Sequence, residues 1–509
     1  MLPYLGLRWI IKDDLLKDAS CPQRLESTER EHVKILFIEP PKESWFVMGE
    51  YVPPPFGILV LASYLEAANQ DVQVEVVDCQ AEKLGWNSLG KRIASSAPDI
   101  VAPSGLGTCN AYTVLETAKL AKDVDRSITT IVGGQHFTAL ARESLTIYQD
   151  VDIVVRGEGE QTLVELLAAL ESKNPLSTVK GISFRHEGAV VQTADRPLLK
   201  DLDSLPLPGY HFVKEHMQAY YFTLMTGKDT PFAIVEGSRG CHHNCSYCSQ
   251  WRFWRQNHRK KSPKRIADEF ENLHQEYGSK FIWLTDDNFG LDQRILELCN
   301  ELNGKGLGDN VTWFIQARCD DIVRNRNLLP KMRRAGNIWM LVGFENPDPS
   351  ILERFHRKGV PKAEAKEAVD WLKKNEILCQ GTFIIGERED SHESIGQLRD
   401  YVNWLDPDLA TFMALTPFPG TELYETARRN SWIEDADWSN YDMIHAIMPT
   451  KHLTREEVQK ELIDCYRNFF GPWNRRYTRL FSKNAIMRRT YQYLARQAIL
   501  TNLRSLIQS

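Results

Sequence analysis

The sequence predicts an α/β protein: an N-terminal doubly wound, Rossmann-like domain, then a partial (β/α)6 barrel, then a helical C-terminal region. Three observations carry this. Five short β-branched runs alternate with helical stretches from Val33 onward, the pattern of a parallel sheet with helices on its faces. Six more strand-helix steps follow from Phe232, enough for a barrel or open barrel. Between the two series, Asp201-Leu202-Asp203-Ser204-Leu205-Pro206-Leu207-Pro208 is a proline-marked linker, which sets a domain boundary near residue 200.

Residues 1–32 begin with an apolar stretch, Leu5 to Ile11, and continue with mixed charge; they are expected to be an extension packed on the body. Val33–Ile38, Val72–Val77, Asp99–Ala102, Ile128–Val132 and Val151–Val155 read as strands, too short and too β-branched for helices. Gly57–Asn69 and Asn110–Val124 have helical composition. A doubly wound sheet holds its ligand beyond the carboxyl ends of the strands. The loops there carry Gly57, Ser104-Gly105-Leu106-Gly107, Gly133-Gly134 and Gly157-Glu158-Gly159-Glu160. Such glycines let backbone approach a large ligand, although tight turns alone would account for any one pair. No G-x-G-x-x-G follows the first strand, which argues against a dinucleotide. Gly181–Arg185 and Ala189–Thr193 alternate as a hairpin and end a first domain at 33–200, with 201–230 as linker.

In the second domain, 231–425, the predicted strands are Phe232–Gly237, Lys280–Thr285, Val311–Gln316, Ile338–Phe344, Gln380–Ile385 and Leu409–Leu415. The helices between them are Pro263–Tyr277, Leu291–Leu302, Ile322–Ala335, Lys362–Asn375 and His392–Leu405. Chemistry is expected at the rim formed by the strand ends. Residues 426–509 read as the helical region, where Val458, Leu462, Cys465, Tyr466 and Phe469 form one apolar stripe.

The chain is long enough for two or three cores at 509 residues. Its 42% apolar and 26% charged residues are those of a soluble globular protein, and a net charge of -6 argues against a general nucleic-acid binder. Ten cysteines are too dilute for a disulfide framework, and with no signal peptide evident the cytoplasm is the expected compartment. No stretch approaches the ~20 apolar residues of a membrane span.

The second domain opens with three cysteines in a C-x3-C-x2-C array: Cys241, Cys245 and Cys248. Thiolates so close together on a loop can converge on one metal centre. Zinc usually takes four protein ligands, and His242 or His243 could complete such a set. An iron-sulfur cluster normally takes four cysteines, so three would leave one iron open to a small molecule. Three incidental loop thiols are the remaining reading. The other cysteines have no paired spacing and read as small buried hydrophobes. Further along the rim come Asp286-Asp287-Asn288, Arg318, Gly343-Phe344-Glu345 and Gly386-Glu387. Acids suit an ammonium and hydroxyls, and arginine suits a carboxylate, which together describe a zwitterionic amino acid bearing a ribose.

With the cysteine array, these residues resemble the radical S-adenosylmethionine (SAM) superfamily. The resemblance implies a 4Fe-4S cluster on Cys241, Cys245 and Cys248, whose open iron takes the amino and carboxylate groups of SAM. Reductive cleavage then yields a deoxyadenosyl radical that abstracts hydrogen from substrate. It further implies that Asp286 and Asp287 stand where a Gly-Gly-Glu motif, absent here, contacts the amino group. Arg318 and Glu345 match positions contacting carboxylate and ribose, Gly386 lies on the adenine-side strand, and Tyr247 packs near adenine. The first domain resembles a cobalamin-binding domain through Ser104, Leu106, Gly133 and Gly134. The usual Asp-x-His-x-x-Gly after the first strand is replaced by Glu39-Pro40-Pro41-Lys42-Glu43. Cobalamin would then bind without a histidine on its lower face, with His136 a packing or solvent residue. Cys248 to Arg255, Arg156 to Glu160 and Thr416 to Thr421 are similar to the cobalamin-dependent branch that contains the anaerobic magnesium-protoporphyrin monomethyl ester cyclase and methylases.

Three functional readings follow. Methylation of an unactivated carbon of a hydrophobic substrate, an isoprenoid lipid or a tetrapyrrole, stands first, with oxidative ring closure on magnesium-protoporphyrin IX monomethyl ester second and a non-catalytic cobalamin or redox sensor third. The enzyme readings require an electron donor such as flavodoxin or ferredoxin, and no catalytic residue is expected beyond the cluster site. Residues 472–509 are basic and aromatic, suited either to peripheral membrane contact or to capping the barrel.

Overall fold

A computed structural model describes residues 33–42, 50–68, 71–105, 107–357 and 359–508, with side chains up to residue 497. The expected extension 1–32 and Leu106 lie outside the described residues.

The first sheet has seven strands in the order Val72–Asp78, Val33–Glu39, Ile100–Pro103, Thr129–Val132, Ile153–Val155, Ile182–His186 and Ala189–Gln192. The first five are parallel and the final hairpin adds antiparallel strands to the edge. Strand order reverses direction at Val33–Glu39, the switch point that opens a ligand crevice in doubly wound sheets. Ile35, Leu36, Phe37 and Ile38 are all buried; helices cover both faces, which is why this strand reads as an unbroken apolar run.

The second sheet is wholly parallel, in chain order: Phe232–Val235, Phe281–Leu284, Thr312–Arg318, Asn337–Glu345, Leu378–Ile385 and Leu409–Ala414. Its first and last strands are not paired with each other, so it is an open barrel.

Residues 201–230 do more than tether the two sheets. Tyr210, Tyr220 and Phe222 are buried in one core that continues through both sheets. Tyr221–Phe222 pairs with Tyr51–Val52 of the first domain, Tyr220 donates to Asp78 (2.9 Å), and the Tyr210 hydroxyl bonds both the N–H and the carbonyl of Ile234 (2.8 Å each). The prolines that mark this stretch in sequence shape its turns without loosening it.

Helix Arg455–Phe470 opens with a capping box, Thr454 with Glu457, and packs on the last strand, where Tyr466 bonds the Phe412 backbone. Helices Trp473–Leu480 and Ala485–Gln508 then turn back across the body. Arg479, 6% exposed, donates to the carbonyls of Pro407 (2.9 Å) and Asp408 (2.6 Å) and to the Asp406 carboxylate (2.7 Å). Arg489 and Thr490 bond the carbonyls of Met225 and Leu224. Part of the tail's positive charge therefore caps backbone carbonyls, as the capping alternative expects.

Candidate active site

The cysteine segment connects strand Phe232–Val235 to helix Pro263–Tyr277. Its stem is a two-residue antiparallel pair, Ser238–Arg239 with Arg259–Lys260. At the neck Gly240 has φ +88°, and a Cβ there would stand 2.0 Å from the Asn257 carbonyl oxygen, so only glycine fits. Within the loop the Trp251 indole N–H and the Cys248 N–H both donate to the Cys245 carbonyl (2.8 and 3.1 Å). From outside, Ser246 donates its N–H to Phe355 (3.1 Å) and accepts from the Leu423 N–H (3.0 Å).

Cys245 is buried, Cys241 and Cys248 are half-buried, and their charges act on one another. Burial pushes the Cys248 thiol up to about 12, with the charge of Asp287 adding to it; the same two influences raise Cys241. Thiols held neutral in this way ionise on meeting a cationic metal centre. Among the described residues no three His, Cys, Asp or Glu side chains gather as a single-ion site. A cluster of several irons spreads its cysteine ligands farther apart than one ion does. The donor set, three soft thiols, fits such a cluster.

Asp286 and Asp287, adjacent in sequence, do different things. Asp286 is fully buried and accepts from the Gly237 N–H (3.0 Å) and the Ser238 hydroxyl, with Arg294 3.8 Å away. Burial raises its carboxyl to about 6. It shapes the stem of the cysteine loop. Asp287 is raised to about 7 by burial and by the negative charges of Asp286 and Glu236, with no cation among the groups that shift it. A half-buried carboxyl whose charge acts on Cys241 and Cys248 is chemically matched to an external ammonium.

Arg318, at the end of its strand, is 8% exposed and donates to Asp320 (3.0 Å). Glu345 closes the next strand with φ +58°, a conformation that costs of order 1 kcal/mol or more outside glycine. Arg357 holds it there: its guanidinium lies 3.2 Å from the Glu345 carboxylate and donates to the Gly343 carbonyl (2.9 Å). A Cβ on Gly343 would come within 2.5 Å of the Glu345 Oε1 and 2.6 Å of the Arg357 Nη2, so glycine lets the pair close. Burial raises the Glu345 carboxyl, while Arg357, Arg318, Tyr247 and Thr382 act against that rise, and the Cys245 side chain is among the groups that act on Arg357. Tyr247 packs edge-on to Phe355, with ring centroids 5.0 Å apart. Gly386 has φ +86° and donates its N–H to Asp390 (2.9 Å).

The first domain faces this loop. Ser104, half-buried, follows the third strand and donates its N–H to the Ile38 carbonyl (2.9 Å). A Cβ on Gly133 would press on the Val155 carbonyl (3.2 Å), whereas Gly134, at φ +84°, opens onto free space. The next residue, Gln135, donates to the Gln250 side-chain oxygen (2.7 Å) and accepts from the Ser249 hydroxyl (2.9 Å), directly after the third cysteine. His136 is buried edge-on against Phe137 and Trp438, and burial lowers it to about 4; it is a packing residue.

The Gly157-Glu158-Gly159-Glu160 loop, expected to line a ligand, instead grips the cysteine stem. Glu158 accepts from Arg239 and Arg259 (2.8 Å each), and Glu160 pairs with Arg239 (2.7 Å). All four side chains are at most 8% exposed, and both guanidiniums lie over the Trp254 ring, 5.7 and 5.4 Å from its centroid. A Cβ on Gly159 would press on Leu61 (2.9 Å), so this glycine serves packing.

Residues 235–402 match the Radical SAM superfamily and residues 48–167 the B12 binding domain. The chain is 32% identical to an uncharacterized methyltransferase of Pyrococcus horikoshii, over 86% of its own length and 92% of that protein. The chain belongs to the cobalamin-binding branch of the radical SAM superfamily. It is also 32% identical, over 86% of its length, to the anaerobic magnesium-protoporphyrin IX monomethyl ester cyclase of Cereibacter sphaeroides, covering 70% of that protein. In fold it is similar to the solved structure of OxsB, a cobalamin-dependent S-adenosylmethionine radical enzyme with aqua-cobalamin and S-adenosylmethionine bound. The TM-score is 0.70 at 17% identity, over 93% of this chain and 72% of that one. As a radical SAM enzyme the chain has two arms at its site that sequence reasoning overlooked. Arg357 lies in a loop without a motif. Glu158 and Glu160 were legible as turn residues and as part of a stretch similar to the branch, but not as partners of Arg239 and Arg259.

Proposed function

We propose that this enzyme binds a 4Fe-4S cluster, SAM and cobalamin, and methylates an unactivated carbon of a hydrophobic substrate, an isoprenoid lipid or a tetrapyrrole. The observation that carries the reading is the shared interface of the Gly133-Gly134 loop and the cysteine segment at Gln135, Ser249 and Gln250, which brings ligands of both into one space. When bound, these groups supply a carbon-centred radical and a methyl donor, a pairing suited to carbons that lack nucleophilic character.

In this reading Cys241, Cys245 and Cys248 hold the cluster. Asp287 receives the SAM ammonium and Arg318 its carboxylate. Glu345, steadied by Arg357, takes ribose hydroxyls, while Tyr247 and Gly386 border the adenine. Asp286 acts one step back, by fixing Gly237 and Ser238. Ser104, Gly133 and Gly134 contact cobalamin, and the packing of His136 against Trp438 supports binding without a histidine ligand. Leu106 completes this set by resemblance. Residues 33–200 form the cobalamin unit, 201–230 the connection, 231–425 the radical unit and 426–509 the helical cover.

The cyclase is as similar in sequence as the methyltransferase, which keeps oxidative ring closure of magnesium-protoporphyrin IX monomethyl ester as the second reading. A one-electron donor, flavodoxin or ferredoxin, completes the partners, and the acidic net charge speaks against nucleic acid. Among the described residues no helix is long and apolar enough to cross a membrane. Peripheral contact, from the cytoplasmic side, is proposed instead through residues 472–509. Residues 471–509 contain eight Arg and Lys and no Asp or Glu, and Trp473, Tyr477 and Phe481 are 73%, 54% and 69% exposed on successive turns of one face. Such a face suits the headgroup region of an anionic bilayer.

The test is anaerobic cluster reconstitution, addition of a strong reductant, and assay for deoxyadenosine. Cys245→Ala should abolish the product, and survival of the activity would reject the cluster assignment. Cobalamin binding without SAM cleavage would favour a sensor. Mass spectrometry of lipid and pigment extracts made with and without the protein then separates methylation, which adds one methylene mass, from cyclisation.

A further inference from the structure

The short helix Gly134–Ala139 is fastened on several sides, to the radical unit, to the C-terminal helical region and to its own domain. Gln135 bonds Ser249 and Gln250, His136 packs on Trp438, and Ala139 lies where a Cβ on Gly420 would touch it at 3.0 Å. Thr138 accepts from the Gly157 N–H (3.0 Å), next to the acids that grip Arg239. Of these contacts only Gln135 is a direct polar link to the residues that follow Cys248. Its amide uses both ends, donating to one residue and accepting from its neighbour, so it senses position and orientation together.

The residue before it, Gly134, opens the helix with φ +84°, and nothing lies within 4 Å of the point a Cβ would occupy, so a ligand has room to approach the backbone there. A ligand seated on the Gly133-Gly134 loop fixes the position of the adjoining peptide that carries Gln135. A cluster seated on Cys248 restricts Ser249 and Gln250 in the same way. Each ordering event lowers the cost of the other, because the bonds between the two segments form only when both are in register.

We propose that Gln135 is a positioning residue that couples cobalamin binding to cluster binding, so that each cofactor tightens the other's site. This rests on the functional reading above. Reciprocity follows from linkage: the factor by which the cluster raises cobalamin affinity equals the factor by which cobalamin raises cluster affinity. Two hydrogen bonds between neutral side chains set the scale at roughly tenfold.

The experiment measures hydroxocobalamin affinity by absorbance titration of the full-length chain, with the cluster reconstituted and after its removal by a chelator. Wild type should bind about tenfold more tightly with the cluster present. Gln135→Ala and Gln250→Ala should bring that ratio close to one, and the double variant should add nothing further. Gln135→Glu, which keeps the acceptor for Ser249 and loses the donor to Gln250, should fall between. Electron paramagnetic resonance of the reduced cluster should respond to cobalamin in wild type and not in Gln135→Ala. A wild-type ratio of one, or a Gln135→Ala protein that loses affinity equally in both states, overturns the coupling alone. Wild-type protein that binds no cobalamin overturns the functional reading and the coupling with it.

Discussion

The Arg239 guanidinium, two residues ahead of Cys241, donates to Glu158 at 2.8 Å across the boundary between the two sheets. Glu158 accepts from Arg259 at the same distance and from the Leu199 N–H (2.8 Å), so one carboxylate ties both sides of the cysteine stem to the first domain. Glu158→Ala leaves two buried guanidiniums short of a partner. It should lower unfolding free energy by about 3–5 kcal/mol, and iron content after anaerobic reconstitution should fall with it. Chemical denaturation and iron analysis of the two proteins check this; unchanged iron loading would show that the stem holds its shape without the clamp.

Asp287→Asn keeps the size of the side chain and removes its charge. Cluster loading should be retained, since the three thiols are intact, while SAM affinity should drop by roughly tenfold or more, the scale of a lost charge-assisted hydrogen bond. Calorimetric titration with SAM on cluster-loaded protein gives the answer, and equal affinity would remove Asp287 from the SAM site.

Asp390 gives a pH signature. Burial raises its carboxyl from 3.8 to about 6 while it accepts from the N–H groups of Gly386 and Glu387 and from the Ser394 hydroxyl. Between those two values the folded state binds more protons than the unfolded one. Its contribution to stability is therefore full below about pH 4 and is lost as pH rises through about 6, by roughly 2–3 kcal/mol. Asp390→Asn should flatten this part of the profile, read as the difference in melting temperature between the two proteins from pH 4 to 7.

Vesicles rich in anionic phospholipid should retain the full-length protein, less so at high salt. Replacing Trp473, Tyr477 and Phe481 by serine should release it while changing stability by less than about 0.5 kcal/mol per site, because these rings are solvent-exposed. Equal flotation of the two proteins would leave residues 472–509 as a cap only.

The alternation of strands and helices was readable because parallel strands covered on both faces write their burial as uninterrupted apolar runs. Cys241, Cys245 and Cys248 stand out in the sequence because the array is local, three thiols within eight residues. What escaped depends on distant partners. Nothing in the chain around Arg357 says that it will meet Glu345 and Cys245, and Asp286 looks like Asp287 until one faces Ser238 and the other the cysteines. The prolines at 206 and 208 signalled a linker, and what they could not signal is that Tyr210, Tyr220 and Phe222 bury it in the shared core. The tail arginines divide by burial: Arg479 is buried where it meets carbonyls, whereas Arg489 and Arg476, both exposed, bond the carbonyls of Met225 and Phe470.

The stem at Gly240 also bears on how such enzymes can be recombined. Its walls come from far apart in the chain: Glu158 and Glu160 before it, Phe355 and Leu423 after it. A graft of residues 236–262 into another barrel would carry the thiols and leave behind the groups that shape them. A chimaera that exchanges residues 156–160 together with 236–262 should keep the shape of the stem better than one that moves 236–262 alone, so what is inherited together here is drawn from two domains.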